Sequence, residues 1–163
     1  MQKKKKGPLH GLFVFIVCLL ISYGVAAIGS LLTMGNINSG WYNMVKPFLS
    51  PPNFVFPIVW NILFLLIAIS LFFAWTESKG KTKMMVITLF TINLLLNMSW
   101  SLMFFFLQSP LAAFIDIIIF WASILGMIII LWKISRKASY ILIPYLLWVS
   151  FAIVLNYLTL LRL

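Results

Sequence analysis

Polar side chains are scarce in this chain, yet two sets of residues able to recognise a ligand recur at helical spacing. Asn93, Asn97, Ser101, Phe104 and Gln108 follow one another at three or four residues, as do Tyr145, Trp148, Ala152 and Asn156. That spacing puts each set on one face of a helix. Aromatic rings stack on flat apolar surfaces, and amides or hydroxyls hydrogen-bond a polar edge. Such groups recognise molecules rather than break bonds, although for Asn93 and Gln108 the simpler expectation is that they stitch helices together. The chain holds two acids, Glu77 and Asp116, one histidine, His10, and one cysteine, Cys18. No Ser/His/Asp set, Cys/His pair, paired carboxylates, phosphate-binding loop or metal cluster can be assembled from these, so hydrolysis and phosphoryl transfer have no candidates and no metal is expected.

The composition identifies the solvent around these helices. Hydrophobic residues make up 64% of the 163 positions and charged residues 9%, too little charge to coat a water-soluble domain. The expected fold is an all-α integral membrane protein, a single domain over residues 1–163 forming a bundle of five transmembrane helices. At roughly 20 residues per span, the apolar runs fall at about 12–32, 54–75, 84–107, 111–132 and 140–161. Pro57 and Pro144 lie near the starts of the second and fifth, where a missing N–H is tolerated. The first run opens like a signal peptide, with Lys3 to Lys6 ahead of it and Val25-Ala26-Ala27 inside it, but it continues to a spanning length and reads as a retained anchor. Cys18 follows bulky Val17, which argues against lipidation, and as the sole cysteine it forms no intramolecular disulfide. His10 flanks the first span.

The net charge of +10 could mark a nucleic-acid footprint or a membrane topology. With five spans, Lys3, Lys4, Lys5, Lys6, Lys79, Lys81, Lys83, Lys133, Arg136 and Lys137 share one side, and only Lys46 and Arg162 the other. This separation follows the positive-inside rule. The N-terminus is therefore expected in the cytoplasm and the C-terminus outside, with membrane lipid rather than nucleic acid as the large partner. Trp75, Trp121 and Trp132 read as belt or packing residues. Ser22, Ala26 and Ser30 form a ridge of small side chains that permits close approach of another helix of this chain or of a second copy, as in a homodimer. Asp116, about two turns into the fourth span, could serve proton transfer or a structural hydrogen bond. The lack of a second intramembrane acid or base favours the structural role.

Most connections are short, but residues 33–53 separate the first two spans and contain Trp41-Tyr42, Lys46-Pro47 and Ser50-Pro51-Pro52-Asn53. The prolines restrict φ and remove donors. Two readings stand: Trp41 and Tyr42 are interfacial belt aromatics, or the segment is an ordered lid over a cavity between helices.

The pattern Trp41-Tyr42-x3-Lys46-Pro47-x3-Pro51-Pro52-Asn53-x2-Phe56-x2-Val59-Trp60 resembles the signature of the TspO/translocator protein family, the tryptophan-rich sensory proteins or peripheral benzodiazepine receptors. Leu96-Asn97-x2-Trp100, Asp116 and Pro144-Tyr145-x2-Trp148-x2-Phe151-Ala152-x2-Leu155-Asn156-Tyr157 extend the likeness to the end of the chain. Phe48-Leu49 departs from it, since the family often has Trp between Lys-Pro and Pro-Pro; the departure bears on lid packing or ligand preference. The chain ends without the longer tail of animal relatives, which suits a bacterial member in the cell membrane.

The resemblance implies a cavity that accepts porphyrins such as protoporphyrin, and synthetic aromatic molecules of benzodiazepine-receptor type, with no obligatory cofactor. Its implied ligand-binding residues are Trp41, Tyr42, Pro52, Asn53, Trp60, Asn97, Trp100, Tyr145, Trp148 and Ala152, the last valuable for being small. The implied function is binding and sensing in tetrapyrrole regulation or stress response. A transporter of porphyrins or amphipathic molecules is the alternative. A second is light-dependent degradation of protoporphyrin, as in some bacterial relatives, for which Trp60 and Trp148 occupy the matching positions. Leu155, Tyr157 and Arg162 also fit a proposed sterol motif, which competes with a simple apolar helix end and a snorkelling arginine.

Overall fold

The computed structural model describes residues 8–162, and these are helical throughout apart from short connections. α1 runs Pro8–Met34, α2 Gly40–Val45, α3 Val55–Glu77 and α4 Lys81–Ser101, the last continuing through a π-helical turn at Leu102–Phe106. α5 runs Pro110–Trp132, α6 Arg136–Ile141 and α7 Ile143–Leu160. Five stretches are long and apolar enough to cross a membrane: Leu9–Met34, Val55–Glu77, Lys81–Phe106, Pro110–Trp132 and Arg136–Leu160. The chain is thus an all-α integral membrane protein with five spanning helices. The lysine cluster at residues 3–6 lies outside the described residues.

The fifth span differs from its expected form. It starts at Arg136 rather than near Tyr140 and is built from two helices, α6 and α7. Pro144 has no N–H to offer and crowds the preceding turn, and the ladder shifts there: Leu142 N–H bonds to Ser139 O (3.1 Å). The carbonyl of Ala138 instead accepts from the Ser70 hydroxyl of α3 at 2.8 Å, a fully buried contact. The α6 end is thereby tied to α3, while α7 makes little contact with that helix and packs chiefly on α5. α3 and α7 consequently diverge toward the face that carries α2, called here the lid face.

Outward positions are filled by Leu20, Leu31, Ile58, Ile115 and Leu147, all more than half exposed. With lipid as solvent such exposure has no penalty, and it is the polar groups that turn inward. Ser22 is fully buried within the chain's own bundle, whereas Ala26 is partly buried and Ser30 exposed. At the end opposite the lid, Lys83 lies 4.0 Å over the Trp75 ring and Arg136 5.4 Å over the Trp132 ring. These tryptophans behave as belt residues holding basic neighbours. Trp121 instead donates its indole N–H to Ser150 Oγ at 2.7 Å, joining α5 to α7.

Replacing Ser70 with valine leaves the Ala138 carbonyl without its donor in an apolar interior. We expect a loss of about 1–2 kcal/mol of stability, read as a lower unfolding midpoint in detergent, with ligand affinity changed far less.

Candidate ligand cavity

The divergence of α3 and α7 opens a cavity of about 500 Å³ at the lid face, within the usual range for small-molecule sites. α3 contributes Phe56, Trp60 and Asn61; α4 contributes Asn97, Trp100 and Ser101; α7 contributes Trp148, Ala152, Leu155 and Asn156. Ala26, Gly29, Ser30 and Thr33 of α1 close one side, and Tyr42, Pro47, Ser50 and Asn53 of the lid segment close the top. Among the described residues, no charged side chain lines it.

The floor is a buried network centred on Tyr145. Its hydroxyl donates to Asn93 Oδ1 (3.1 Å), and the Asn93 amide donates to Ser123 Oγ (2.8 Å), which in turn donates to Phe120 O (2.7 Å). The edges of Trp60 and Phe120 meet the Tyr145 ring at 6.3 and 5.7 Å. Tyr145 therefore lies beneath the cavity and not on its wall, contrary to the expectation for a ligand-binding residue. Its phenol is consumed by helix packing.

Trp60 and Trp148 do line one cavity, but their depths are the reverse of a flush-ended bundle. Phe56 meets Trp148 at 6.0 Å, and Trp60 meets Tyr145, one turn below Trp148. α3 thus begins beside Trp148, in the first third of α7, and Trp60 lies about 6 Å deeper than Phe56 by helical rise. On the opposite wall, Trp100 Nε1 donates to Asn156 Oδ1 (3.2 Å) and Asn156 Nδ2 to Ala152 O (2.8 Å). Asn156 is fully engaged in the wall. Asn97 is not: its amide nitrogen is buried without a hydrogen-bond partner, and the residue borders the cavity.

The lid is held by aromatic packing. Ser39 caps α2 by accepting from Tyr42 N–H (3.1 Å). Tyr42 packs on Phe105 and Trp41 on Phe104, both at 5.6 Å, while Trp100 stacks on Phe104 at 5.2 Å. Phe104 and Phe105 are adjacent in sequence yet both buried, because the π-helical turn widens the backbone locally. Helical spacing alone put Phe104 inward and carried the stripe on to Gln108. Past the turn, Gln108 is exposed with φ of 49°, so the stripe ends at Phe104. Burial raises the Tyr42 phenol above its ordinary pKa, which keeps it neutral within the lid.

Of the residues expected at the site, Tyr42, Asn53, Trp60, Asn97, Trp100, Trp148 and Ala152 lie on the lining. Trp41 and Pro52 do not: Trp41 clamps the lid from outside, against Phe104, and Pro52 is exposed. The three sterol-motif residues do not share a surface. Leu155 lines the cavity, Tyr157 is half exposed beside Phe114, and Arg162 donates to Lys46 O of the lid. Phe48 and Leu49 are exposed by 86% and 46% and are absent from the lining, so the departure there does not alter the cavity wall. Asp116 accepts from Ser99 Oγ at 2.6 Å across the α4–α5 contact, away from the cavity.

Phe105 and Asn61 escaped the sequence reading. Phe105 gave no signal, since regular periodicity turns it off the stripe. Asn61, an amide in an apolar run, could have been singled out; its Nδ2 donates to Pro57 O at 2.8 Å.

These features define an integral membrane protein with five spanning helices and a lidded, uncharged, tryptophan-lined cavity. Residues 15–161 match the sequence profile of the TspO/MBR family, and the chain belongs to that family. It is 37% identical over 142 residues to the Tryptophan-rich protein TspO of Chlorobaculum tepidum, covering 86% of this chain and 90% of that one. It is 26% identical to the Tryptophan-rich sensory protein of Cereibacter sphaeroides, over 82% and 84% of the two chains. The human Translocator protein is 30% identical over 72% of this chain and 71% of its own.

Phe105→Ala removes the ring on which Tyr42 rests, a change that in cores costs about 3–5 kcal/mol. The expected outcome is local: backbone amides of residues 40–45 exchange hydrogen at least about ten-fold faster, while those of α5 are unchanged.

Proposed function

We propose that this protein is a membrane sensory protein that binds porphyrins of protoporphyrin type, and other flat aromatic molecules, in the cavity beneath the lid. The observation that carries this reading is the lining itself. Three indoles, Trp60, Trp100 and Trp148, face an uncharged space bordered by the Asn97 side chain. Indole faces suit a flat conjugated ring. The sensory role is supported by the name of the Cereibacter sphaeroides relative.

Fluorescence titration of the purified protein with protoporphyrin tests the reading, and saturable binding is expected. Ala152→Phe, which fills space between Trp148 and Asn156, should weaken binding at least about ten-fold while leaving the unfolding midpoint nearly unchanged. Equal affinity in a folded variant would remove Ala152 from the site. Flux of porphyrin across proteoliposomes would replace the sensory reading with a transporter.

A second reading, light-driven degradation of the bound porphyrin, is favoured by Trp60 and Trp148 lining the same cavity. Illumination of the complex should then change its absorption spectrum, and the Trp60→Phe/Trp148→Phe double variant should bind without that change.

We further propose that the protein sits in the bacterial cell membrane with the lid face exterior. Lys79, Lys81, Lys83, Lys133, Arg136 and Lys137 lie at the opposite end, against Lys46 and Arg162 on the lid face. Reporter fusions at the two termini should report opposite sides, the N-terminus cytoplasmic; the same side for both would exclude this orientation.

A further inference from the structure

The end of the bundle opposite the lid gathers cations from two separate connections. Lys79, Lys81 and Lys83 lie where α3 passes into α4, and Lys133, Arg136 and Lys137 where α5 passes into α6. The chain has two acidic side chains. Asp116 is held by Ser99 near the other end of α5, so only Glu77, at the end of α3, shares this region with the cations.

Three of the six cations rest on aromatic rings. Lys83 Nζ lies 4.0 Å from the centre of the Trp75 ring, Lys137 Nζ 5.5 Å from that of Phe73, and the Arg136 guanidinium 5.4 Å from that of Trp132. Trp132 in turn meets Tyr140 edge-on at 5.0 Å. Phe73 and Trp75 belong to the last turns of α3, so α4 and α6 each lay a lysine on the end of that helix. Two buried hydroxyls fix α6 in place: Ser70 Oγ donates to Ala138 O at 2.8 Å, and Ser139 Oγ to Ile128 O at 2.7 Å.

Tryptophans at the ends of spans sit at the level of lipid headgroups. A cation resting on such a ring is held at the depth of the phosphates. The ring attracts it through its quadrupole, and its N–H donors can still turn to an anion. Ile129 lies three residues before Trp132 on the same face of α5, and Met84 follows Lys83; both are exposed and extend an apolar wall toward the middle of the membrane. Acyl chains can use that wall, whereas free phosphate cannot. A zwitterionic headgroup would bring its own cation into the same positive field, and a headgroup of net negative charge would not.

We propose that Lys83, Arg136 and Lys137, with the rings beneath them, form a binding surface for an anionic phospholipid of the adjoining leaflet. The surface lies at the end of the molecule remote from the cavity and does not depend on what the cavity binds. Lys79, Lys81 and Lys133 carry equal charge at the same end and are exposed, which supplies a control of matched charge.

The test is native mass spectrometry of the full chain, released from neutral detergent with equimolar phosphatidylglycerol and phosphatidylcholine of identical acyl chains. The parent should retain phosphatidylglycerol at least about ten-fold over phosphatidylcholine. In the Lys83→Gln/Arg136→Gln/Lys137→Gln variant the preference should fall to within about two-fold, with the unfolding midpoint in lipid-free detergent unchanged. The Lys79→Gln/Lys81→Gln/Lys133→Gln variant should keep at least about five-fold. Where the first variant does not stay folded, its three single substitutions make the same comparison, each expected to lose about two-fold. Excess inorganic phosphate at constant ionic strength should not displace the lipid. No preference in the parent would overturn the proposal. Equal loss in the two triple variants would also overturn it, leaving only a diffuse positive field, and displacement by phosphate would replace the lipid surface with an anion site.

Discussion

The cavity depends on the hydrogen bond between the Tyr145 hydroxyl and Asn93. It is fully buried, and it joins α7 to α4 at the level where Trp60 of α3 and Phe120 of α5 meet the same tyrosine ring. Four helices are thus registered at one depth. In lipid there is little hydrophobic force to pull helices together, and packing with a few buried polar contacts sets their relative heights. Below this junction the bundle is closed. Above it, α3 and α7 part and leave the space that the lid covers.

The opening also depends on a break in α7's approach. A continuous fifth helix packed along α3 would fill the wedge. Pro144 interrupts the ladder, α6 stays beside α3 through Ser70, and α7 leans on α5 instead. The π-helical turn at the end of α4 has the complementary effect. By burying both Phe104 and Phe105, it presents enough aromatic surface to hold the short helix α2, which at six residues has too few turns to be stable alone. Two irregularities in otherwise regular helices therefore make the cavity and close it. Irregular backbone is acceptable in a membrane where it is covered by protein or lines a cavity.

Much of this was legible in the residues. The five spans follow from the length and apolarity of the runs, because a helix must satisfy its own backbone in lipid. The inward face of α4 was readable from Asn93 to Phe104, since unpaired amides are costly in hydrocarbon and must find partners inside. Reading failed where the backbone left the regular period. Gln108 lies past the π-helical turn, so counting by three and four residues pointed it the wrong way. Tyr145 sits on the inward face as its spacing requires, but periodicity gives direction and not depth. Whether a residue touches a ligand or seals the floor beneath it depends on how far one helix is shifted along another. Trp41 and Pro52 belong to a segment with no repeating period, where sequence carries no information about facing.

By itself, then, the sequence determined the solvent, the number of spans, the grouping of basic residues at one end and the polar faces of the helices. Each of these follows from transfer energies and helical geometry within a single segment. Only the tertiary structure decided the axial offset of α3 against α7, which places Trp60 below Trp148, and the contact of Arg162 with the Lys46 carbonyl of the lid. Both arise from contacts between segments far apart in the chain, where the energy of packing many side chains at once selects one arrangement. No local pattern encodes that sum.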